Sequence, residues 1–211
     1  MSCTEIHEPR GRLAASPRLF RNRLLDKLSR VHPVTPFFLY LPLLGVLLWR
    51  AGELPVRFVM EAFASGYLLW TLIEYFGHRA LFHIHPRSAL GRRIQFLIHG
   101  VHHEHPNDPM RLVMPPLMSV PIIAAAFVLL RITAGPAIGV PALAGFVTGY
   151  LAYDSLHFYV HHATPANWIG RYLRRRHMHH HFRDDTSWFG VSAPWWDTVF
   201  VTRPARGPDI D

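Results

Sequence analysis

Four apolar runs separated by arginine-rich segments constrain what this chain can fold into. Residues 35–49 (TPFFLYLPLLGVLLW), 54–78 (LPVRFVMEAFASGYLLWTLIEYFGH), 112–130 (LVMPPLMSVPIIAAAFVLL) and 137–160 (AIGVPALAGFVTGYLAYDSLHFYV) are the candidates for membrane helices. A helix needs about 20 residues to cross a ~30 Å hydrocarbon core, so the first run is short and the others suffice. The prolines of the third run sit mostly near its start, where a helix tolerates them. Short links join the first run to the second and the third to the fourth, which pairs them as two hairpins. Half of the residues are hydrophobic and only 17% are charged, against roughly 25% in a soluble domain. The expected fold class is all-α and integral to a membrane, with about four transmembrane helices.

The formal net charge of +8 is distributed in a way that orients these helices. Arginines crowd the residues before Thr35 (Arg10, Arg12, Arg18, Arg21, Arg23 and Arg30, with Lys27), residues 79–111, and the tail after His162. The hairpin turns carry only Arg50, Arg57 and Arg131. With four crossings, all three basic segments fall on one side, which the positive-inside rule makes cytoplasmic. This accounts for much of the charge without a nucleic-acid partner. Residues 1–31 lack the apolar stretch of a secretory signal, and LFRNRLLDKLSR is suited to lie as an amphipathic helix on a membrane surface. The chain thus divides into a basic N-terminal segment, 1–34, and a membrane domain, 35–211.

Cys3 is the single cysteine, so neither a disulfide framework nor a thiolate cluster is available. Sixteen histidines remain, and most fall in four groups: HRALFH (His78, His83), HGVHH (His99, His102, His103), HFYVHH (His157, His161, His162) and HMHHH (His177, His179, His180, His181). Positions i, i+3 and i+4 share one face of an α-helix, at about 100° per residue. His99, His102 and His103 satisfy that spacing, as do His177, His180 and His181, and His157 with His161. His179 points away from its neighbours. His78 and His83 are about 140° apart on a regular helix, which sends them to different metals or to a frayed helix end. The second and fourth runs both end on the cytoplasmic side, so every group can meet there. Ten imidazoles exceed one coordination shell of four to six ligands, and a dinuclear centre follows.

Blander readings compete. Isolated histidines at a membrane interface, His7, His32, His85 and His105, are read as surface or snorkelling residues. RRRHMHHH also suits a basic patch against lipid headgroups. Convergence of buried imidazoles without partners is costly, which favours ligands. Imidazole suits iron, zinc and copper alike. An all-nitrogen pair of redox-active ions fits oxygen activation, whereas a hydrolase more usually adds carboxylates. Glu74 and Asp154 lie one turn before His78 and His157 and are candidates to orient imidazole N–H groups from behind, with helix-end charge as the alternative.

These boxes, together with RLVMPP at 111–116 and WFGVSAPWWDTVF near the C-terminus, resemble the membrane-bound fatty acid 2-hydroxylases of the fatty acid hydroxylase and sterol desaturase superfamily. The likeness covers about residues 70–201. It implies hydroxylation of a fatty acyl chain beside its carbonyl, on a free acid, acyl ester or ceramide-like lipid, using O2, two electrons and a pair of irons that zinc can replace on purification. His78, His83, His99, His102, His103, His157, His161, His177, His180 and His181 match the family pattern as ligands or their direct neighbours; His162 and His179 are additional. Many relatives carry a fused haem domain, and the residues before the first run are too few for one, so a separate electron-transfer protein is expected. Trp70, Tyr75, Phe82, Phe158 and Trp188 are candidate walls for the acyl chain, with ordinary packing as the competing reading. Other functions stay in view: a sterol or carotenoid hydroxylase, a desaturase, a metal transporter, or a non-catalytic metal-binding membrane protein.

Overall fold

The computed structural model describes residues 16–204; Cys3, His7, Arg10 and Arg12 lie outside them. Every regular element among the described residues is helical. Helix α1, Arg23–Leu28, begins at Asn22, whose side-chain oxygen accepts from the Leu24 and Leu25 amides at 2.8 and 3.2 Å, satisfying donors that a helix start leaves free. Helix α2, Thr35–Ala51, has Pro36 in its first turn, where no N–H is needed. Helix α3, Val56–Phe76, runs on into a π-helical turn, Gly77–Phe82. A second continuous piece joins α4, Ala89–Gln95, a π-helical turn, Phe96–Gly100, and α5, Val101–Glu104. Then come α6, Pro116–His162, α7, Trp168–Phe182, and α8, Trp195–Val199.

The third and fourth apolar runs are thus one helical stretch, α6, and its break lies at Gly135. There φ is 71° and ψ 172°, a backbone conformation essentially restricted to glycine. The chain reverses at this point: a Cβ on Gly139 would stand 3.0 Å from the Leu130 carbonyl oxygen, whereas nine residues of straight helix would separate them by about 13 Å. Two arms result, residues 116–134 and 136–162. The Met114 amide, just before the first arm, donates to Asp154 near the end of the second at 3.3 Å.

Two helical stretches are long and apolar enough to cross a membrane, Val56–Phe82 and Pro116–His162, and α2 is a shorter apolar helix. Only 22% and 17% of their most apolar windows are buried, unlike the core helices of a soluble protein. Phe38, Trp49, Met60, Phe127 and Ile132 stand exposed, and apolar surface of that extent needs lipid to cover it.

Helix α3 and the second arm of α6 touch backbone to backbone. A Cβ on Gly66 would lie 1.8 Å from the Ala142 carbonyl oxygen, and one on Gly145 would lie 1.9 Å from that of Phe63. Farther on, Gly149 meets Trp70. Gly66 with Ala142, Tyr67 with Gly145 and Trp70 with Gly149 advance together along both helices, so the helices run parallel and deliver His78 and His157 to the same end. Around them the core is aromatic, with Trp70 edge-on to both Phe146 and Tyr150 at 5.2 Å.

The N-terminal segment, expected as an amphipathic helix suited to a membrane surface, also packs on the rest of the chain. Residues 16–31 fold back onto the loop before α6: the Val31 amide donates to the Met110 carbonyl at 2.8 Å, and Arg111 donates to the Pro17 carbonyl at 2.9 Å. Only residues 23–28 of LFRNRLLDKLSR are helical.

Candidate metal centre

The ten histidines singled out from the sequence come together in two groups, either of which could hold a metal ion. His78, His83, His99, His103 and His180 form one, and His102, His157, His161, His177 and His181 form the other; within each, the ligand nitrogens all lie within 4.8 Å of one another. His162 is outside both and packs on Phe158, and His179 is outside both as its helical angle predicts. The groups adjoin, with the rings of His103 and His181 stacked at 4.2 Å between centroids.

His78 and His83 belong to the same group, with Nε2 atoms 3.3 Å apart, which corrects the expectation of different metals; the other alternative, a helix end, fits His83, which caps the turn with non-helical backbone, φ -100° and ψ 23°. The turn between them is π-helical, and i→i+5 bonding widens each turn, so residues five apart face the same way. The i, i+4 pairs stay together: His99 with His103, His157 with His161, and His177 with His181. His102 and His180 each pass to the group opposite their helical neighbours.

The donor chemistry fits a cation. His78 Nδ1 lies 2.7 Å from the Phe189 carbonyl oxygen, and His180 Nδ1 lies 2.7 Å from that of Ser187. A carbonyl only accepts, so both Nδ1 atoms carry the proton and both Nε2 atoms present lone pairs. Those lone pairs point at His99 Nε2, 3.2 Å away, and at His83 Nε2, 3.0 Å away. In the second group, the Nδ1 atoms of His102, His157, His161, His177 and His181 are buried with no hydrogen-bond partner among the described residues, while Nε2 atoms converge at 2.7–3.1 Å. Burial, then the neighbouring His180, pushes His83 down to about 3 and His103 to about 2. Burial followed by neighbouring imidazoles holds His99, His102, His177 and His181 well below the usual range. All six are neutral near pH 7, the form a metal requires.

The sequence-level expectation for Glu74 and Asp154 is corrected in its detail. Glu74 accepts from the Ser192 amide at 2.7 Å and from the Ser192 hydroxyl, and Asp154 accepts from Met114. Among the described residues neither receives an imidazole N–H; for His78 and His180 backbone carbonyls do. The residue missed is Asp197, fully buried. One of its oxygens accepts from the Phe189 amide at 2.8 Å and the Thr202 hydroxyl at 2.7 Å, and the other from the Gly190 amide at 2.9 Å. It thereby fixes the loop whose carbonyls orient His78 and His180. The one available signal was an acidic residue inside the aromatic run WFGVSAPWWDTVF. In the same loop Trp188 adopts a left-handed backbone, φ 58°, with the Arg176 guanidinium 4.0 Å above its ring.

Of the candidate acyl walls, Phe82 alone lines the cavity beside the centre. Trp70 and Tyr75 are core residues, Phe158 packs against Val31, Leu112 and Val113, and Trp188 is occupied by Arg176.

The model of one protein family, fatty acid hydroxylase, matches residues 63–202, a stretch that contains all ten histidines and Asp197. The chain belongs to the fatty acid hydroxylase family. Among its relatives, a dihydroceramide fatty acyl 2-hydroxylase of Arabidopsis thaliana is 34% identical over 94% of this chain and 84% of its own length. The ceramide very long chain fatty acid hydroxylase of Saccharomyces cerevisiae is 38% identical over 97% of this chain and 53% of its own. For the fatty acid 2-hydroxylase of Homo sapiens the figures are 31%, 97% and 60%. This hydroxylase-family chain therefore spans little more than half of its fungal and mammalian relatives. The solved structure of full-length Scs7p, in which only the hydroxylase domain is visible, superposes with a TM-score of 0.83 at 34% identity, covering 90% of this chain and 72% of that one.

Proposed function

We propose that this chain is an integral-membrane hydroxylase that inserts one oxygen atom of O2 beside the carbonyl of a fatty acyl chain, carried by a free acid, an acyl ester or a ceramide-like lipid. The observation that carries the reading is the convergence of ten imidazoles, in two all-histidine groups, at an apolar cavity that His99, His102 and His157 line. Relatives named for fatty acid and dihydroceramide 2-hydroxylation support this substrate class over sterols and carotenoids.

On this reading each histidine group holds one iron, and zinc takes the same nitrogen sites when iron is scarce. A bound pair of irons supplies the redox chemistry that reduces and splits O2. The chain's own residues fix the rest. The carbonyls of Phe189 and Ser187 hold the tautomers of His78 and His180, which keeps their Nε2 lone pairs aimed inward. The cavity's apolar walls exclude water, so that the acyl C–H and not solvent is presented to the centre. One C–H bond, O2, two electrons and two protons become C–OH and water, so two electrons arrive from outside; a separate electron-transfer protein is the proposed source.

The proposed topology has four crossings: α2, α3 and the two arms of α6. Two features support a cytoplasmic site. The histidine-bearing ends adjoin the arginine-rich segments, and the opposite ends carry only Arg50, Arg57 and Arg131, with Arg57 paired to Glu61 at 2.8 Å. The compositional boundary at residue 34 is not a functional one on this reading, because residues 16–31 help to enclose the cavity.

The test is lipid mass spectrometry of cells that express the chain with an electron donor, wild type beside His180→Ala. Acyl chains heavier by one oxygen, fragmenting beside the carbonyl and absent from the variant, are expected. Equal levels in both, or none in either with two metals bound, would exclude the reading.

A further inference from the structure

A cavity of about 370 Å³ lies between the histidine groups and the N-terminal segment. Its inner end is formed by His99 of one group and by His102 and His157 of the other, so whatever fills it lies against both. Its outer side is formed by Leu19, Phe20, Leu25 and Leu28, all from residues 16–31, together with Leu117 at the start of α6. The mouth is apolar: Leu25 and Leu28 are 50% and 64% exposed, and Leu117 is 87% exposed. Such a rim is continuous with the lipid-facing surface of α6.

The segment that supplies this wall is held at both ends by one side chain. Arg111, itself buried, donates to the Pro17 carbonyl at 2.9 Å near the start of the segment and to the Ser29 hydroxyl at 2.9 Å near its end. Asp26 stands between, accepting from the Leu19 amide at 2.7 Å and pairing with Arg30 at 3.2 Å and Arg111 at 3.6 Å. Between the two grips the chain turns its leucines inward over the cavity. A planar guanidinium with five donors can make both grips at once; an ammonium cannot.

We propose that residues 16–31 are a strap that forms the outer wall of a binding site for a single acyl tail admitted from the bilayer, with Arg111 as its latch. The tail lies between Leu25, Leu28 and the site histidines, and the strap sets which chain lengths are held. This inference rests on the hydroxylase reading for its substrate, but the strap's role as a wall can be tested without turnover.

Two experiments decide it. The first compares the chain-length profile of hydroxylated lipids made by wild type, by Leu25→Trp/Leu28→Trp and by Leu25→Ala, each checked for wild-type metal content. Filling the cavity is expected to shift product toward shorter chains by about tenfold or more, the discrimination an apolar pocket achieves per misplaced methylene, and Leu25→Ala is expected to shift it the other way. Unchanged profiles in both variants overturn the proposal. The second labels the purified protein in nanodiscs with a diazirine-bearing octadecanoic acid. Label on residues 19–28, competed by octadecanoic acid and lost with Arg111→Lys, supports the strap even if wild type makes no hydroxylated lipid. Label confined to the outer face of residues 120–129 overturns it, whatever the activity.

Discussion

The hydrogen bonds of Asp197 go to none of the ten imidazoles, but its two oxygens hold the amides of Phe189 and Gly190 and so set where the Phe189 and Ser187 carbonyls point. Those carbonyls fix the tautomers of two histidines, and both histidines belong to the same group. Damage at Asp197 is therefore expected to be one-sided. In Asp197→Asn the amide nitrogen turns a donor toward a backbone N–H that needs an acceptor. Metal analysis of the purified variant should show one of two metals lost, with activity down about 10–100-fold, the usual effect of disturbing a partner behind a ligand. Loss of both metals together, or of neither, would show that the loop does not act on the first group selectively. Eight of the ten histidines were legible from spacings that obey helix geometry; His78 and His83, five apart, were not, and stood out only through the family resemblance. Asp197 was not, because its partners are backbone amides, which leave no mark in residue type.

Elements approach one another at two scales of closeness here, and the closest is α3 against the second arm of α6. At Gly66 and Gly145 an added Cβ meets a backbone carbonyl and not the flexible tip of a side chain, so neither helix can yield locally. Gly66→Leu or Gly145→Leu should cost at least about 3 kcal/mol, the upper part of the overpacking range, and lower the melting temperature in detergent by several degrees; Gly77→Ala, where a Cβ meets nothing within 4 Å, serves as the control. Melting temperatures equal to the control's would mean that the helices are not in backbone contact. The apolar runs were legible from composition alone. The π-helical turn was not: HRALFH has no residue that demands i→i+5 bonding, and only the assembled group shows why His83 must swing round to His78.

For the molecule as a whole, packing so many neutral imidazoles together couples the fold to acid. An unfolded histidine titrates near 6.5, whereas burial holds His83 at about 3 and His103 at about 2. The unfolded chain therefore binds more protons throughout that interval. The contribution of these groups to stability is complete above pH 6.5 and is lost as pH falls from 6.5 toward 3. Metal-free protein in detergent, followed by circular dichroism, should show a denaturation midpoint that falls steadily across this window; replacing His83 and His103 with Gln should flatten the slope. A midpoint independent of pH between 6.5 and 4 would mean that these rings are solvated. The packing of the N-terminal segment on the rest of the chain was the large-scale feature that was not legible in the sequence. Its hold on the rest runs from Arg111 to carbonyls dozens of residues away, and a basic, leucine-bearing segment reads equally well as a surface helix.

Two short helical pieces each feed both histidine groups: residues 99–103 send His99 and His103 one way and His102 the other, while α7 sends His180 one way and His177 with His181 the other. With no carboxylate in either group, the spacing between the two centres is written into the rise and twist of two rods of backbone. The pair behaves as marks on a rigid ruler. Any motion of α7 displaces both groups in concert.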